Sequence, residues 1–169
     1  MFARTQRLTL RPGWPEDAPA LTAAIAHESV ATRLARLPWP YTLAHAEAWL
    51  GTAPAARHHA MLVFAHDRGD APELVGGAGL HPTDEGLEIA YWLTPDAWGR
   101  GYATEAGHAV VQIARHALGQ HRVHAYHHVD NHASGKVLRK LGFERTGEAR
   151  HHSLARGEEV DCVTYALAF

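Results

Sequence analysis

Apolar and polar positions alternate with period two around Leu8 and Leu10, which stand between Arg7, Thr9 and Arg11. That alternation predicts a first strand with one buried face. Pro12, Gly13 and Pro15 end it, and Leu21 and Ile25, four residues apart, predict a helix starting near Glu16. A Pro-interrupted aromatic segment follows from Leu34 to Thr42, and Thr42 is placed to cap a second helix over Ala44 to Leu50. Strands are predicted over His59 to Ala65, over Glu73 to Leu80 despite Gly76, Gly77 and Gly79, and over Leu87 to Leu93 after a turn at Pro82 to Gly86. Ala106, Ala109, Val110, Ile113 and Ala117 then recur on one helical face within Thr104 to Leu118. Arg122 to Val129 reads as a strand. Val137, Leu138 and Leu141 line the inner side of a helix that Gly142 ends. Phe143 to Ala149 and Val160 to Phe169 read as a closing pair of strands. The order is mixed α/β without repeats or linkers, so one domain over 1–169 with a single core is expected.

Composition sharpens this picture in three places. A chain of 169 residues with 46% hydrophobic and 20% charged residues is long and apolar enough to bury a core. A formal net charge of -2, with 15 histidines counted neutral, gives no broad nucleic-acid footprint. The lone Cys162 makes no internal disulfide and reads as a buried structural thiol in the last strand. Met1 to Arg11 lacks the apolar core of a signal peptide and no run is long enough to cross a bilayer, so a soluble cytoplasmic protein is expected, with no membrane partner.

The run Trp98-Gly99-Arg100-Gly101-Tyr102-Ala103 joins the central strand to the helix after it. Glycines between a strand and a helix let backbone N–H groups approach an anion, and the helix start adds unpaired N–H groups and the positive end of its dipole. A phosphate-bearing ligand is one reading, and a ligand-free structural turn the other. No Gly-Lys-Ser or Gly-Lys-Thr completes a P-loop, and the third glycine of a dinucleotide fingerprint is missing.

Downstream lies Asn131-His132-Ala133-Ser134-Gly135-Lys136-Val137-Leu138-Arg139-Lys140-Leu141-Gly142-Phe143. With Arg7-Leu8-Thr9-Leu10-Arg11, Pro38 to Tyr41, Gly86 to Pro95 and Trp98 to Ala106, this segment resembles the Gcn5-related N-acetyltransferase (GNAT) superfamily. Within it, the chain is similar to the ribosomal-protein N-terminal acetyltransferases of the RimJ/RimL-like branch. The resemblance implies an acyl-CoA N-acyltransferase fold: a mixed, mostly antiparallel sheet, two splayed central parallel strands and flanking helices. It implies acetyl-CoA as co-substrate and direct attack of an amine on the thioester. Trp98 stands where the family's phosphate loop opens with Gln or Arg, which leaves backbone recognition intact.

On that resemblance the diphosphate binds backbone N–H groups of Trp98, Gly99, Arg100, Gly101, Tyr102 and Ala103, with Thr104 at the helix start. The backbone of Tyr91, Trp92 and Leu93 pairs with the pantetheine arm, and an N–H near Trp92 or Leu93 stabilises the oxyanion. Asn131 holds the cofactor arm or anchors its loop, and Ser134 gives a proton to the leaving thiolate. Helix capping is the structural alternative for Asn131. Glu88, on one side of its strand with Ala90 and Trp92, is the nominated base and an acceptor contact, with a structural ion pair as its alternative; His81, His127, His128 and His151 are weaker candidates.

Arg33, Trp39 and Tyr41 are expected to border the acceptor cleft, Arg33 or Arg36 meeting a carboxylate, with internal packing as the alternative for Trp39; Asp161 either supports a cleft histidine or arginine or makes an ordinary polar contact. The histidine pairs at 58–59, 127–128 and 151–152 invite a metal, but adjacent strand residues point oppositely and no His-Glu-x-x-His helix exists, so no metal is expected; most of them are placed at the surface and one or two along the acceptor cleft. The acceptor is left as a protein N-terminus or a small amine such as a polyamine, an antibiotic or an amino acid. A non-catalytic CoA-binding module is the other class. A monomer and a homodimer are both compatible with the sequence.

Overall fold

The computed structural model describes residues 1–52 and 59–169. Eight strands make one sheet in the order β1-β2-β3-β4-β5-β6-β8-β7. They are β1 (Ala3–Arg4), β2 (Leu8–Arg11), β3 (Met61–Ala65), β4 (Glu73–Thr83), β5 (Gly86–Leu93), β6 (Arg122–His128), β7 (Glu144–Ser153) and β8 (Glu158–Ala168). The helices are α1 (Ala18–Ile25), α2 (Glu28–Ala31), α3 (Leu43–Gly51), α4 (Tyr102–Gln112) and α5 (His132–Lys140). Every neighbouring pair is antiparallel except β5 with β6. This is the mixed, mostly antiparallel sheet with a parallel central pair that the family resemblance implies.

Each face of the sheet has its own apolar cluster. Leu8, Leu10, Val63, Leu80, Ile89 and Val123 meet Tyr102, Ala106, Val110 and Leu138 of α4 and α5, and Leu141 just after α5, on one side. On the other side Leu21, Ile25, Val30, Ala46 and Leu50 of α1–α3 meet Leu62 and Leu74, with Tyr41 and Trp92 packed against them. Leu8 and Leu10 are fully buried, as their alternation with polar residues requires. Burial of each such side chain is worth about 1.5–3 kcal/mol. Cys162 is buried too, and burial pushes its thiol up to about 11.

Several boundaries differ from the sequence reading for local reasons. A 3₁₀ turn, Pro15–Asp17, precedes α1, because the Asp17 carboxylate accepts from the Trp14 N–H (2.8 Å) and from Arg11. Thr42 starts α3 as expected, but its partner is His45, whose Nδ1 takes the Thr42 N–H at 3.1 Å. β3 begins at Met61 rather than His59, and His58 lies outside the described residues. The predicted Pro82–Gly86 turn shrinks to Asp84 and Glu85, with Pro82 inside β4. Pro82 is tolerated there because its nitrogen faces the side where β3 has already ended. α4 starts two residues before the expected Thr104, and its continuation, Ile113–Ala117, widens into a π turn. β7 runs to Ser153, beyond the expected Ala149.

Among the described residues no helix is long and apolar enough to cross a membrane. None of their His, Cys, Asp and Glu side chains gather in a group of three that could hold a metal.

Candidate active site

The central parallel pair separates almost as soon as it forms. β5 pairs with β6 only at Leu87–Val123 and Glu88–His124. Each strand nevertheless stays bonded along its length to its outer neighbour, β5 to β4 from Gly86 to Leu93 and β6 to β8 from Arg122 to His128. The gap beyond Glu88 is therefore a splay held from both sides, not a frayed end. Thr94 N donates to Val75 O (2.9 Å), which sets the parity of β5. Residues 88, 90, 92 and 94 turn their backbone groups to β4, and residues 87, 89, 91 and 93 turn theirs to β6. Past Glu88 the gap thus receives the N–H and C=O of Tyr91 and the N–H of Leu93. The Leu93 carbonyl is already taken by the Trp98 indole N–H at 3.0 Å.

Parity corrects the expectation for Trp92. Its backbone serves β4, and its side chain packs against the Leu21–Leu62–Leu74 cluster on the opposite sheet face. Gly77 makes that possible, since a Cβ there would lie 2.4 Å from Trp92 Nε1.

The glycine run sits at the wide end of the splay. Gly99 (φ 75°) and Gly101 (φ 83°) are both left-handed, and Gly101 is the N-cap of α4 without a side-chain cap. A Cβ on Gly99 would meet nothing within 4 Å, so the turn is open on that side. The first-turn N–H groups of Tyr102, Ala103 and Thr104 lack intrahelical partners. The arrangement is a ready receptor for an anion. Trp98 and Arg100 are exposed, and Arg33, expected beside the acceptor, has its guanidinium over Trp98, 4.5 Å from the ring centroid.

Across the splay, the Tyr91 hydroxyl lies 2.8 Å from Ser134 Oγ and 3.2 Å from Ser134 O. Burial pushes the Tyr91 phenol up to about 12, so it is a neutral donor throughout the working pH range. Asn131 caps α5, its side chain accepting from Ser134 N at 3.3 Å. The capping role considered from the sequence is therefore present.

On the other sheet face Glu88 and Trp92 share one side, as the alternation predicts. Glu88 Oε1 is 2.8 Å from His81 Nε2, its cross-strand partner in the β4–β5 hairpin. Nearby, burial and the Glu88 charge together push Tyr126 up to about 12. The Tyr126 ring stacks on His151, with centroids 4.1 Å apart.

The segment between α2 and α3 lies over this face and is tied to β6 and the β7–β8 turn. Leu154 N donates to Ala35 O at 2.9 Å, and Arg156 Nε to Thr32 O at 2.7 Å. Trp39, joined to Pro40 by a cis peptide bond, is exposed on this segment, whereas Tyr41 packs inward. Asp161 pairs with Arg150 at 3.2 Å on the exposed face, an ordinary polar contact.

The histidines at 127–128 are both buried. They do point oppositely: His127 lies beside Tyr165, while His128 Nδ1 meets Thr32 O at 3.2 Å. His128 Nε2 is buried without a hydrogen-bond partner among the described residues. Burial, assisted by the Arg156 charge, lowers the His128 pKa below its ordinary 6.5. The unfolded chain takes up this proton near 6.5 and the folded chain resists it, so stability is full above 6.5 and declines as pH falls below it. The melting temperature of the parent is therefore expected to fall more steeply than that of His128→Asn between about pH 7.5 and 5.5. Parallel slopes in thermal scans would contradict this.

Sequence reasoning missed the Tyr91 hydroxyl and left His81 as a minor candidate. His81 was findable: once the turn is reduced to Asp84 and Glu85, equal distances from it pair His81 with Glu88. No local signal joins Tyr91 to Ser134.

Comparison with known proteins agrees with this architecture. The profile of the acetyltransferase (GNAT) domain family matches residues 7–144. The chain is 30% identical over 167 residues to the uncharacterized N-acetyltransferase YoaA of Bacillus subtilis (strain 168), covering 96% of this chain and 94% of that protein. Among solved structures, a GNAT-family acetyltransferase from Bacillus anthracis superposes with a TM-score of 0.85 at 22% identity, covering 99% of this chain and 98% of that one. RimL, a ribosomal L7/L12 alpha-N-protein acetyltransferase in complex with coenzyme A, superposes with a TM-score of 0.80 at 20% identity, covering 100% and 98%. A family profile over most of the chain, a relative matched nearly end to end and a sheet splayed beside a glycine-lined helix start lead to one assignment: the chain belongs to the GNAT acetyltransferases.

Proposed function

We propose that this acetyl-CoA-dependent N-acetyltransferase acts as one domain over 1–169 on a primary α-amine at a protein N-terminus, in the manner of the RimJ/RimL-like branch. The observation that carries the reading is the splay, which presents unpaired backbone groups of Tyr91 and Leu93 beside the open glycine turn. Acetyl-CoA fits both parts. Its diphosphate matches the N–H groups from Gly99 to Thr104, and its amide-bearing arm can pair with Tyr91 and Leu93 as a short strand would. The Leu93 N–H is the backbone donor for the oxyanion.

The chemistry follows from the two flanks of the splay. The amine must be neutral to attack, and a free α-amine, with a pKa of about 7.7–8.0, needs only modest help. Glu88, oriented by His81, takes its proton directly or through water as the C–N bond forms. The C–S bond then breaks, and Ser134 Oγ gives a proton to the departing thiolate. Tyr91, kept protonated by burial, holds that hydroxyl in place. The products are the N-acetylated amine and CoA thiol.

Two features favour a protein terminus over a polycationic small amine. The segment at residues 32–42 carries Arg33 and Arg36 and no acidic residue, which repels polyamines and aminoglycosides. Trp39 and Leu154, both exposed, give its rim apolar surface suited to a peptide. The relative that acetylates ribosomal L7/L12 supports the same class by its name.

Calorimetry with acetyl-CoA, followed by a thiol-release screen of N-terminal peptides and small amines, tests the proposal. Saturable binding with turnover on peptides is expected. Turnover on small amines alone would reassign the acceptor, and binding without any turnover would leave a CoA-binding module. Ser134→Ala is expected to lower kcat about 10–100-fold with little change in acetyl-CoA affinity, and Tyr91→Phe to lower it less. Unchanged steady-state kcat in Ser134→Ala would remove the serine from the proton path.

A further inference from the structure

Arg7 is 98 residues from Glu105 in sequence and is bound to it three times over. Its backbone N–H donates to Glu105 Oε1 (2.9 Å), its Nε to Oε2 (2.8 Å), and its Nη2 pairs with Oε2 at 2.7 Å. Thr5 Oγ1 adds a fourth donor to Glu105 Oε1 at 2.6 Å. The remaining guanidinium nitrogen, Nη1, reaches the glycine turn and donates to the Arg100 carbonyl at 3.0 Å. The guanidinium also lies 4.8 Å from the Tyr102 ring centroid, and the Tyr102 hydroxyl donates to Asp67. Two segments that stand out separately in the sequence, residues 7–11 and 98–106, thus form one device.

The geometry has two consequences for the turn. Glu105 belongs to the first turn of α4, where a free carboxylate would repel a diphosphate; Arg7 and Thr5 draw it toward the β1–β2 corner and neutralise it. In a planar trans peptide, C=O and N–H point in opposite directions. Fixing the Arg100 carbonyl on Arg7 therefore turns the Gly101 N–H away from Arg7, outward from the turn.

We propose that Arg7 is a positioning residue for the phosphate turn: it aims the Gly101 N–H at the acyl donor's diphosphate and withdraws the Glu105 carboxylate from it. This rests on the acetyltransferase reading above. Arg7 itself meets no reacting atom.

The test compares two acyl donors, acetyl-CoA and S-acetylpantetheine, which lacks the diphosphate. With Arg7→Ala, kcat/KM for acetyl-CoA is expected to fall roughly tenfold, through KM rather than kcat. The value for S-acetylpantetheine is expected to stay within about twofold. Arg7→Lys keeps the Glu105 pair but not the forked reach to Arg100, and serves if Arg7→Ala folds poorly. It should retain the parent melting temperature and show the same selective loss. Equal losses with both donors, or no loss with either, overturn the proposal. A parent enzyme that transfers acetyl from neither donor would instead sink the acetyltransferase reading.

Discussion

Gly101→Val is expected to weaken acetyl-CoA binding about a hundredfold while leaving the sheet intact. Gly101 stands at φ 83°, where a Cβ crowds the following carbonyl at a cost of roughly 1–2 kcal/mol, and a β-branched residue suffers more. The chain relieves that strain by rotating the 100–101 and 101–102 peptides. The Gly101 N–H then no longer faces the anion, and the first N–H groups of α4 shift with it. Two charge-assisted hydrogen bonds lost at about 1.5 kcal/mol each correspond to the hundredfold loss. Gly99→Ala, at φ 75° but with open space around its Cβ, should lose less. Calorimetry with CoA on both variants checks the order, with thermal melting to confirm folding. If Gly101→Val bound CoA as tightly as the parent, the turn would not be the diphosphate site.

Glu88→Gln is the second large effect expected. Glutamine keeps the shape and can still accept from His81, so the hairpin register should hold while the proton acceptor disappears. A positioned general base contributes about 10²–10⁴-fold, so kcat/KM should fall by at least about a hundredfold. His81→Gln provides the contrast: if His81 only orients Glu88, its loss costs less rate than loss of the carboxylate. Full activity in Glu88→Gln would leave the carboxylate as a structural ion pair with His81.

Tyr91 keeps its proton throughout: its phenol is pushed to about 12, so it does not titrate in the range where a free α-amine, with a pKa of about 7.7–8.0, does.

The elements were readable where one periodicity dominated. Leu8 and Leu10, Leu87 to Leu93 and the apolar face of α4 all lie where their spacing places them. Boundaries moved where a side chain competes for backbone groups, as Asp17 does before α1 and His45 at the start of α3. Pro82 misled because a proline usually breaks a strand, and only the neighbouring strand's end shows that its missing N–H costs nothing. In the site, the sequence singled out Glu88, Ser134 and the glycine run, and the structure gathers them around one splay. It laid Arg33 over Trp98, and it turned the Trp92 backbone away from the gap, which depends on strand parity.

By itself the sequence determined what is local: which segments bury one face, where glycines interrupt the chain, and which residue types bring acid–base chemistry. These follow from φ/ψ sterics and from side-chain alternation, both written within a few residues. Only the tertiary structure decided that β5 and β6 part after two pairs, that Tyr91 meets Ser134 43 residues away, and that Arg7 grips Glu105 at a separation of 98. Such contacts depend on how distant segments are laid against a shared core, and no local pattern carries that information.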